Sequence, residues 1–316
     1  FVNSSLNVIN PIKKYLGNKS LNYSLKVING DIRDKKILDS VFADSAKELK
    51  PIQAVIHLAG LKSVSESFTN PLHYWHVNVC GTQNLLSTMN EYKCFSIVFS
   101  SSATVYGLTD SVPIAEDHRI SPINPYGTTK VAIENMLYDL YKSNKSSWKV
   151  CSLRYFNPVG AHSTGLIGED PIGIPNNLFP YITQVAIGRR NLLNVFGDDW
   201  DTRDGSGVRD YIHIMDLSEG HIDAIDYLHS KESCFEFINL GSGNGYSVFQ
   251  IIRQFEKSTG IEIPFSIKSR RYGDVAKCYA DISKAKKLLG WTPKRTLEQI
   301  CLDGWNWQIN NPAGYG

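Results

Sequence analysis

Short apolar runs alternate with longer amphipathic stretches through the first half of the chain. Each apolar run is brief, rich in β-branched or aromatic residues and followed by small or turn-forming residues, which is typical of buried strands. The predicted strands span residues 25–31, 53–58, 97–99 and 149–155. The predicted helices span residues 35–49 and 71–92, with a third that begins at Pro125. Strands that alternate with helices predict an α/β fold with a parallel, Rossmann-type doubly wound sheet and right-handed crossovers.

The pattern changes at Phe156. Residues 156–177 are rich in glycine and proline, lack clear periodicity and are too long for an ordinary connection, so we predict a functional loop. Beyond Leu178 short strands and helices mix, and a late amphipathic helix is predicted at 297–307. The chain therefore divides into a first domain, residues 1–155, and a smaller α/β domain, residues 156–316, that is interleaved with the first.

The composition is that of an ordinary globular protein, with 42% hydrophobic and 20% charged residues among 316. A net charge of +2 gives no argument for a nucleic-acid or membrane partner. No apolar run approaches the ~18 residues of a spanning helix, and no signal peptide opens the sequence. The six cysteines are widely spaced, with no Cys-x-x-Cys pair and no histidines at metal-ligand spacing. We therefore expect a reduced, cytoplasmic protein without a metal site.

The candidate chemistry lies in one predicted strand and the helix that follows it. IVFSSSATVYG, which begins at Ile97, runs from an apolar strand into small hydroxyl residues, and ligands collect at such carboxyl ends in α/β sheets. Farther on, Pro125 precedes a helical run in which Tyr126 and Lys130 stand at i and i+4, on one face. Ser102, Tyr126 and Lys130 are the candidate catalytic residues. The Tyr-x-x-x-Lys spacing alone favours a solvated helix face, and the preceding strand and serine shift the interpretation towards catalysis.

These three residue types suit the oxidation of an alcohol. An ammonium next to a phenol favours the phenolate, so we expect Lys130 to lower the pKa of Tyr126 and make it a base near neutral pH. A serine hydroxyl opposite the phenol can hold the substrate oxygen that gains or loses the proton. The accompanying hydride requires an acceptor such as a nicotinamide.

A glycine-rich phosphate loop is missing where a dinucleotide fold should carry one. Such a fold opens with a strand, a glycine-rich turn and a helix, but no Gly-x-x-Gly-x-x-Gly lies ahead of Asp31. The glycines around Gly165 and Gly241 come too late in the chain and are interpreted as loop glycines. Either the loop never existed, or a first strand, glycine loop and helix of roughly thirty residues are absent before Phe1.

Several long stretches are similar to the extended short-chain dehydrogenase/reductase family and, within it, to the UDP-glucose 4-epimerases. They occur in family order through essentially the whole chain. These stretches are HLAGLKSVSES from His57, SSSATVYG from Ser100, NPYGTTK from Asn124, LRYFNPVGAH from Leu153, GEDPIGIPNNLFPYITQVAIGRR from Gly168, GVRDYIHIMDLSEGH from Gly207 and RRYGDVAKCYAD from Arg270. The resemblance also explains the missing loop as an N-terminal truncation, because Phe1 and Asn3 resemble the tail of the adenine-ribose loop.

The resemblance implies an NAD site in residues 1–155 and a UDP-sugar site in residues 156–316. Tyr126 resembles the catalytic base, Lys130 its electrostatic partner and Ser102 the sugar-hydroxyl contact. The implied cofactor contacts are Asn3, Asp31, Ile32, Leu58, Ala59, Gly60, Leu61, Lys62, Asn78, Tyr126, Lys130 and Phe156. The implied substrate contacts are Ser102, Ala103, Thr104, Tyr155, Phe156, Asn157, Asn176, Asn177, Leu178, Asn194, Val195, Phe196, Arg209, Arg271, Tyr272, Gly273, Asp274 and Cys278.

The physical character of the implied substrate site agrees with a nucleotide. A guanidinium gives paired, charge-assisted hydrogen bonds to phosphate oxygens, so Arg209 and Arg271 suit a diphosphate, and Asp274 can accept from ribose hydroxyls. Alone, each would be interpreted as a surface ion-pair residue, and Phe196 as core. Cys278 falls where the family carries either a bulky tyrosine or a small residue, and a small one leaves room for a 2-acetamido group. The alternative for Cys278 is a buried structural thiol.

The resemblance implies interconversion of UDP-galactose and UDP-glucose, and of the corresponding N-acetylated pair, through a 4-keto intermediate in a cytoplasmic homodimer. One rival is a dehydratase or decarboxylase of the same family, although dehydratases follow the strand-end hydroxyl with an acidic pair where this chain has Ala103 and Thr104. The other is a non-catalytic binding homologue. Because the glycine loop is missing, we expect the chain as given to be inactive or nearly so.

Overall fold

The computed structural model describes residues 3–17, 25–109, 111–271 and 273–315. The helices are α1 (Ile9–Gly17), α2 (Lys35–Lys47), α3 (Val64–Thr69), α4 (Pro71–Tyr74), α5 (Gly81–Glu91), α6 (Pro125–Ser143), α7 (Leu178–Ala186), α8 (Ile214–His229), α9 (Val248–Thr259), α10 (Ser283–Leu289) and α11 (Leu297–Asn310). Short 3₁₀ turns lie at Leu6–Val8 and Ala103–Val105, and a π-helical turn spans Trp75–Cys80. The strands are β1 (Val55–His57), β2 (Ser96–Ser102), β3 (Lys149–Tyr155), β4 (Asn157–Val159), β5 (Leu193–Phe196), β6 (Val208–Arg209), β7 (Tyr211–His213), β8 (Cys234–Leu240), β9 (Tyr246–Ser247), β10 (Phe265–Lys268) and β11 (Lys277–Cys278).

A parallel sheet in the order β1-β2-β3-β8 forms the centre of the molecule, and helices cover both of its faces. On one face Leu85 of α5 and Ile133 of α6 pack with Phe99 of β2. On the other face Leu217 of α8 packs with Leu153 of β3. Burial of these apolar side chains is the main force that holds the layers together. The predicted α/β fold with a parallel, doubly wound sheet is confirmed.

The strand predicted at 25–31 is wrong. Residues 25–31 have no regular secondary structure, and Leu25, Val27 and Ile28 are exposed. A strand persists only where a neighbour pairs its backbone N–H and C=O groups, and no strand within the described residues pairs with this segment. The apolar sequence therefore has strand propensity without a partner.

The other elements predicted for the first half are confirmed, with shifted ends. β3 has the predicted bounds, and β2 continues beyond Phe99 to Ser102. The helix predicted at 71–92 is built from α4, the π-helical turn and α5 in succession. Single π-helical turns inside helices occur frequently at functional sites. Here the turn carries Asn78, which is buried.

The second half of the sequence forms smaller sheets and also completes the central one. β4 pairs with β7, β5 with β10, and β6 lies between β11 and β9. A second core joins Val195 of β5, Phe255 of α9 and Ile300 of α11. The predicted late helix is confirmed as α11, which extends beyond Trp307 to Asn310. Because β8 and α8 pack in the central layer, the two halves of the sequence interleave.

The loop predicted at 156–177 contains β4 and is otherwise irregular. The end of the chain holds it in place. Tyr315 donates its backbone N–H to Asp170 at 2.9 Å, and its hydroxyl contacts the backbone N–H and C=O of Gly168 at 2.9 and 3.1 Å. Asn311 donates to the carbonyl of Gly165 at 3.0 Å. The shape of this loop therefore depends on residues far along the sequence.

Candidate active site

The first turn of α6 is defined by its cap. Asn124 has extended backbone angles and accepts a hydrogen bond from the N–H of Gly127 at 2.7 Å, while Pro125 occupies the first helical position. A Cβ at Gly127 would lie 2.9 Å from the carbonyl oxygen of Thr104, so only glycine allows the helix to approach the end of β2 this closely. The cap and this approach place Tyr126 and Lys130 beside the strand end.

The structure brings Ser102, Tyr126 and Lys130 together. Tyr126 and Lys130 are buried on one face of α6, and Nζ of Lys130 lies 5.7 Å from the Tyr126 ring centroid. Ser102, the last residue of β2, lies close enough to the phenol of Tyr126 to affect its pKa. Nζ of Lys130 donates to the carbonyl of Ser100 at 2.6 Å. A phenol, a hydroxyl and an ammonium therefore converge at the carboxyl end of the sheet.

The electrostatics of this group differ from the expectation. Burial raises the pKa of the Tyr126 phenol, and the neighbouring Ser102 hydroxyl opposes that rise. Burial also lowers the pKa of Lys130 to about 8, against the opposite effect of the Glu134 carboxylate. The predicted net lowering of the Tyr126 pKa is wrong for this structure, because desolvation outweighs the effect of the ammonium, which bonds to a carbonyl.

The segment after β1 forms a second wall of the site. Leu58, Ala59, Gly60 and Lys62 are exposed, and Leu61 is half-buried. Asn78 fixes this backbone by accepting from the N–H of Leu61 at 2.7 Å and donating to its carbonyl at 3.1 Å. Its amide also donates to Thr129 of α6 at 3.1 Å.

Gly60 marks an open cradle next to the catalytic helix. A Cβ there would lie 3.1 Å from Oδ1 of Asn78 and 3.9 Å from Nζ of Lys130. Lys130 has three N–H donors, of which one bonds to Ser100. Nζ also lies 4.9 Å from the centroid of the Phe99 ring, and its proximity to the bare backbone of Gly60 fits a contact with the hydroxyls of a cofactor ribose.

The predicted adenine contacts lie at the far end of this wall. Asp31 is exposed and pairs with Arg33 at 2.6 Å, which lowers the pKa of its carboxyl to about 2. Together with His76 they line an open groove of about 630 Å³. Ile32 packs closely on Gly81, where a Cβ would lie 2.7 Å from its side chain. An ionised acceptor beside an open groove fits the exocyclic amine of adenine.

Asn3 and Phe156 have contacts that the sequence did not indicate. Oδ1 of Asn3 accepts from the N–H of Ile172 at 2.7 Å, so its amide is engaged by the 156–177 loop. Phe156 is buried among Ala103, Val105 and Ala280. It forms part of the apolar floor beneath the strand ends.

Ser102 and Tyr155 are direct neighbours across β2 and β3. The Tyr155 hydroxyl contacts Nε2 of His221, and burial raises the pKa of the phenol. The backbone N–H of Asn157 donates to the carbonyl of Asp210 at 2.9 Å. After Ser102, Ala103 is buried and the Thr104 hydroxyl donates to Ser102 at 3.0 Å.

The predicted nucleotide contacts form a separate group on β5 and the segment before β11. The guanidinium of Arg271 lies 4.8 Å from the centroid of the Phe196 ring and donates to Asp274 at 3.1 Å. Asn194 accepts from Ser266 at 3.1 Å, and its neighbour Val195 is buried in the core. Gly273 follows with a positive φ of 81°, which favours glycine. Tyr272 lies outside the described residues.

Arg209 and Cys278 are cross-strand partners between β6 and β11. Asp210, which follows Arg209, is buried and accepts from Ser242, Gly243 and Ala280. Its carboxylate thereby ties β6, the turn after β8 and β11 together. Burial raises the pKa of Cys278 to about 11, so the thiol is neutral at ordinary pH.

The 156–177 loop places its predicted substrate contacts, Asn176 and Asn177, near the segment that follows β1. Asn176 donates to the Ser63 hydroxyl at 3.4 Å, and Lys62 pairs with Glu169 at 3.6 Å. Asn177 donates to Glu169 at 3.4 Å. Leu178 begins α7 and packs on the second core. The loop therefore borders both predicted groups of contacts.

Three buried polar residues at the site were missed by the sequence analysis: Glu134, Asp210 and His221. Glu134 was the detectable one, because it continues the spacing of Tyr126 and Lys130 by one helical turn. Within the described residues no group of three or more His, Cys, Asp or Glu side chains could hold a metal ion. No helix in that part of the chain is long and apolar enough to cross a membrane.

Comparison with known proteins gives consistent matches over almost the whole chain. Residues 2–303 match the family model described as GDP-mannose 4,6 dehydratase. UDP-glucose 4-epimerase of Bacillus subtilis is 48% identical over 313 residues, which cover 99% of this chain and 89% of that protein.

Solved structures agree with the sequence matches. The crystal structure of UDP-glucose 4-epimerase from Bifidobacterium longum in complex with NAD+ and UDP has a TM-score of 0.92 and 45% identity, covering 99% of this chain and 90% of that one. UDP-glucose-4-epimerase from Stenotrophomonas maltophila, with bound NAD and formylated UDP-arabinopyranose, has a TM-score of 0.91 and 42% identity, covering 98% and 88%.

Proposed function

The chain belongs to the UDP-glucose 4-epimerases of the extended short-chain dehydrogenase/reductase family, and from that premise we propose that it interconverts UDP-galactose and UDP-glucose. The observation that carries the proposal is the convergence of Tyr126, Lys130 and Ser102 at the carboxyl end of the sheet. A proton acceptor, a cation and a hydroxyl donor at one point are the groups that oxidation of a sugar alcohol requires.

Tyr126 exchanges the proton on O4 of the hexose. Its buried phenol is neutral in the resting site, so it must release its own proton before it accepts that of O4. The neighbouring Ser102 hydroxyl and the charge on Lys130 are the groups that can stabilise the phenolate. Ser102 holds the same sugar oxygen through its hydroxyl. Oxidation of C4 gives a 4-keto sugar, and reduction from the opposite face inverts the configuration.

NAD, when bound, supplies the group that accepts hydride from C4 and returns it. We propose that Asp31 and Ile32 hold the adenine end, residues 58–62 and Asn78 the middle, and Phe156 and Lys130 the nicotinamide end. The exposed carboxylate of Asp31, the open cradle at Gly60 and the position of Lys130 beside it support this assignment. Asn3 is proposed as a ribose-side contact.

The nucleotide end of the substrate is gripped and the hexose is held loosely. Arg209 and Arg271 are proposed to bind the diphosphate, Asp274 and the Gly273 turn the ribose, and residues 194–196 the uracil. A firmly held nucleotide leaves the hexose free to turn over its diphosphate and present its other face. Ala103, Thr104, Tyr155, Asn157 and residues 176–178 complete the proposed sugar side.

We propose that residues 1–155 form the NAD domain and residues 156–316 the UDP-sugar domain. The first range supplies β1, β2, β3 and α6, which carry the catalytic residues. The second supplies β5, β6 and β11, which carry the proposed uridine diphosphate contacts. It also returns β8 to the central sheet, so the division is interleaved.

The small side chain of Cys278 supports a wider substrate range. It stands directly across from Arg209, next to the proposed diphosphate site. A thiol here occupies much less space than a phenol ring would. We therefore propose that UDP-N-acetylglucosamine and UDP-N-acetylgalactosamine are also substrates.

We also propose that the protein is a homodimer and is located in the cytoplasm. Leu72 is 82% exposed and Trp75 38%, beside a groove of about 360 Å³ that includes Pro122 and Pro125. An apolar surface of this kind supports association with a second copy. All six cysteines are free thiols, which supports a reducing compartment.

A dehydratase is the second candidate, because the matching family model carries that description. Elimination of water needs an acidic residue close to the strand-end hydroxyl. The chain has Ala103 and Thr104 there, and neither side chain can act as an acid. This composition favours the epimerase.

The test is to incubate the purified protein with UDP-galactose and NAD and to follow UDP-glucose with a coupled dehydrogenase. Formation of UDP-glucose would support the proposal and contradict the expectation that the chain as given is inactive. Where turnover is seen, Tyr126→Phe should reduce it by ~100-fold or more, the range for a removed general base. Calorimetric titration with UDP checks that the variant keeps its nucleotide site. A 4-keto-6-deoxy product would assign the dehydratase, and UDP binding without turnover would assign a binding protein.

A further inference from the structure

Glu134 occupies the next turn of α6 after Lys130, and its carboxylate is buried and fully hydrogen-bonded. Oε1 accepts from the Ser101 hydroxyl at 2.7 Å and from Nε of Arg154 at 2.9 Å. Oε2 accepts from Nη2 of Arg154 at 2.9 Å. Glu134, Ser101 and Arg154 are each at most 3% exposed. A buried charge needs such partners, because burial without them is strongly unfavourable.

This carboxylate makes one of two hydrogen bonds that join α6 to the end of β2. Lys130 donates to the carbonyl of Ser100, and Glu134 accepts from the hydroxyl of Ser101. Ser102, the next residue, lies beside the phenol of Tyr126. Two consecutive residues of the strand are thus bonded to successive turns of one helix, and the third faces the turn before them. Moving any one of them shifts the distance between the phenol and the strand-end hydroxyl.

Arg154 neutralises Glu134 without reaching the substrate side. Its Nη1 donates to the Tyr106 hydroxyl at 3.0 Å and to the Glu116 carbonyl at 3.1 Å. Its guanidinium lies 4.3 Å from the centroid of the Phe237 ring. The arginine is therefore held on the far side of the carboxylate from Lys130.

Few charged groups face Lys130 from the elements around it. β1 contributes His57, whose pKa is lowered by burial to about 3, so that the ring is neutral. β2 contributes the Phe99 ring and a carbonyl, and the turn after β1 contributes Gly60. α6 contributes the Tyr126 phenol and Glu134. Among the described groups, Glu134 is the anion that supports the positive charge of Lys130.

We propose that Glu134 is a positioning residue for the epimerase reaction, which keeps Lys130 charged and holds Ser101 so that Ser102 and Tyr126 remain in contact. Glu134 itself is not proposed to contact the sugar or the cofactor. It acts through Lys130 and Ser102, which are. The inference rests on the proposed function for its catalytic meaning. Its electrostatic content is a property of the folded chain and can be measured without turnover.

The test removes the carboxylate charge without leaving Arg154 unpaired in the core. Glu134→Gln alone keeps the shape of the side chain but leaves the buried guanidinium of Arg154 without its anionic partner. The double variant Glu134→Gln/Arg154→Met is therefore the main test variant. The matched control is Glu116→Gln, which changes a half-buried carboxyl that accepts from the N–H of Asn239 while the backbone carbonyl of the same residue contacts Arg154. The variants are made in the full chain, and circular dichroism checks their folding.

The direct readout is the pH titration of the Lys130 side chain by NMR of ¹³C-labelled lysine, with Lys130→Met used to assign the resonance. We expect the midpoint to fall in the double variant, because the lost carboxylate lies one helical turn from Lys130 and the lost guanidinium lies beyond it. Glu116→Gln should leave the midpoint unchanged. An unchanged midpoint in the folded double variant would overturn the proposal.

The catalytic readout is the pH profile of kcat. We expect the alkaline limb to move down with the Lys130 midpoint, while the affinity for UDP stays constant. A loss of kcat that is equal at all pH values would assign a merely structural role and reject the inference. If the wild-type chain does not epimerise but the midpoint still moves, the proposed function fails while the coupling of Glu134 to Lys130 stands.

Discussion

The Tyr155 hydroxyl donates its hydrogen to Nε2 of His221. Nδ1 of the same ring lies 2.8 Å from the carbonyl of Leu217, which can only accept. The proton of the neutral ring is therefore assigned to Nδ1, and Nε2 is the acceptor. Burial lowers the pKa of His221, so this arrangement persists at neutral pH. The phenolic oxygen of Tyr155 then presents only lone pairs to the substrate.

Replacing His221 with phenylalanine should weaken substrate recognition. The phenol of Tyr155 loses its acceptor and turns its hydrogen elsewhere, which costs about 1.5 kcal/mol or about tenfold in kcat/KM. The measurement is steady-state kinetics with UDP-galactose, with Tyr155→Phe alongside. If the pair acts as a unit, the double variant loses no more than either single variant. If the losses in kcat/KM of the two single variants add fully in the double variant, the contact between Tyr155 and His221 plays no part in substrate recognition.

Lys130 should make the protein gain stability as the pH rises above 8. Its pKa is about 8 when folded, against the ordinary 10.5 of an unfolded chain. Between these values the unfolded chain binds a proton that the folded chain does not, so the cost of burying the charge fades as pH rises. The cost below pH 8 is about 3 kcal/mol.

The measurement is urea denaturation of the wild type and Lys130→Met at several pH values between 7 and 11. We expect the wild type to gain stability relative to the variant across that window. Lys142→Met, an exposed lysine of the same helix, should show no such change. A constant difference between wild type and Lys130→Met would contradict the lowered pKa.

Arg271→Met should reduce the affinity for UDP. A guanidinium that pairs with phosphate contributes a charge-assisted bond, and its loss is expected to weaken binding by ~10-fold or more. Arg270→Met is the matched control, because Arg270 bonds to Asp199 at 2.7 Å and stacks on Trp200. Titration calorimetry with UDP measures both. Equal losses for the two variants would show that the pairing is not specific.

Cys278→Tyr should separate the two substrate pairs. The larger ring fills the space proposed for the 2-acetamido group, so turnover of UDP-N-acetylglucosamine should fall by ~100-fold while that of UDP-glucose changes little. Cys278→Ala serves as the control and should retain both activities. Undiminished activity of Cys278→Tyr on the acetylated sugars would reject the gating role.

The sequence was a good guide wherever local pattern decides structure. β3 and the start of α6 follow from apolar runs, Asn124 and Pro125, and the three candidate catalytic residues lie together because one helix face and one strand end suffice to place them. It failed at residues 25–31, where strand formation depends on a neighbour rather than on propensity. It also gave the wrong direction for the pKa of Tyr126, because desolvation depends on distant parts of the chain.

The contacts of Tyr315 and Asn311 with the 156–177 loop have a consequence for how the protein is made. Chains emerge from the ribosome with the N-terminal end first, and domains begin to fold as they emerge. Gly165, Gly168 and Asp170 must wait for partners that are translated about 145 residues later. During that interval β1, β2, β3 and α6 can already pair and pack. The 156–177 loop, which borders the proposed sugar site, is therefore among the last parts of the newly synthesised protein to fold.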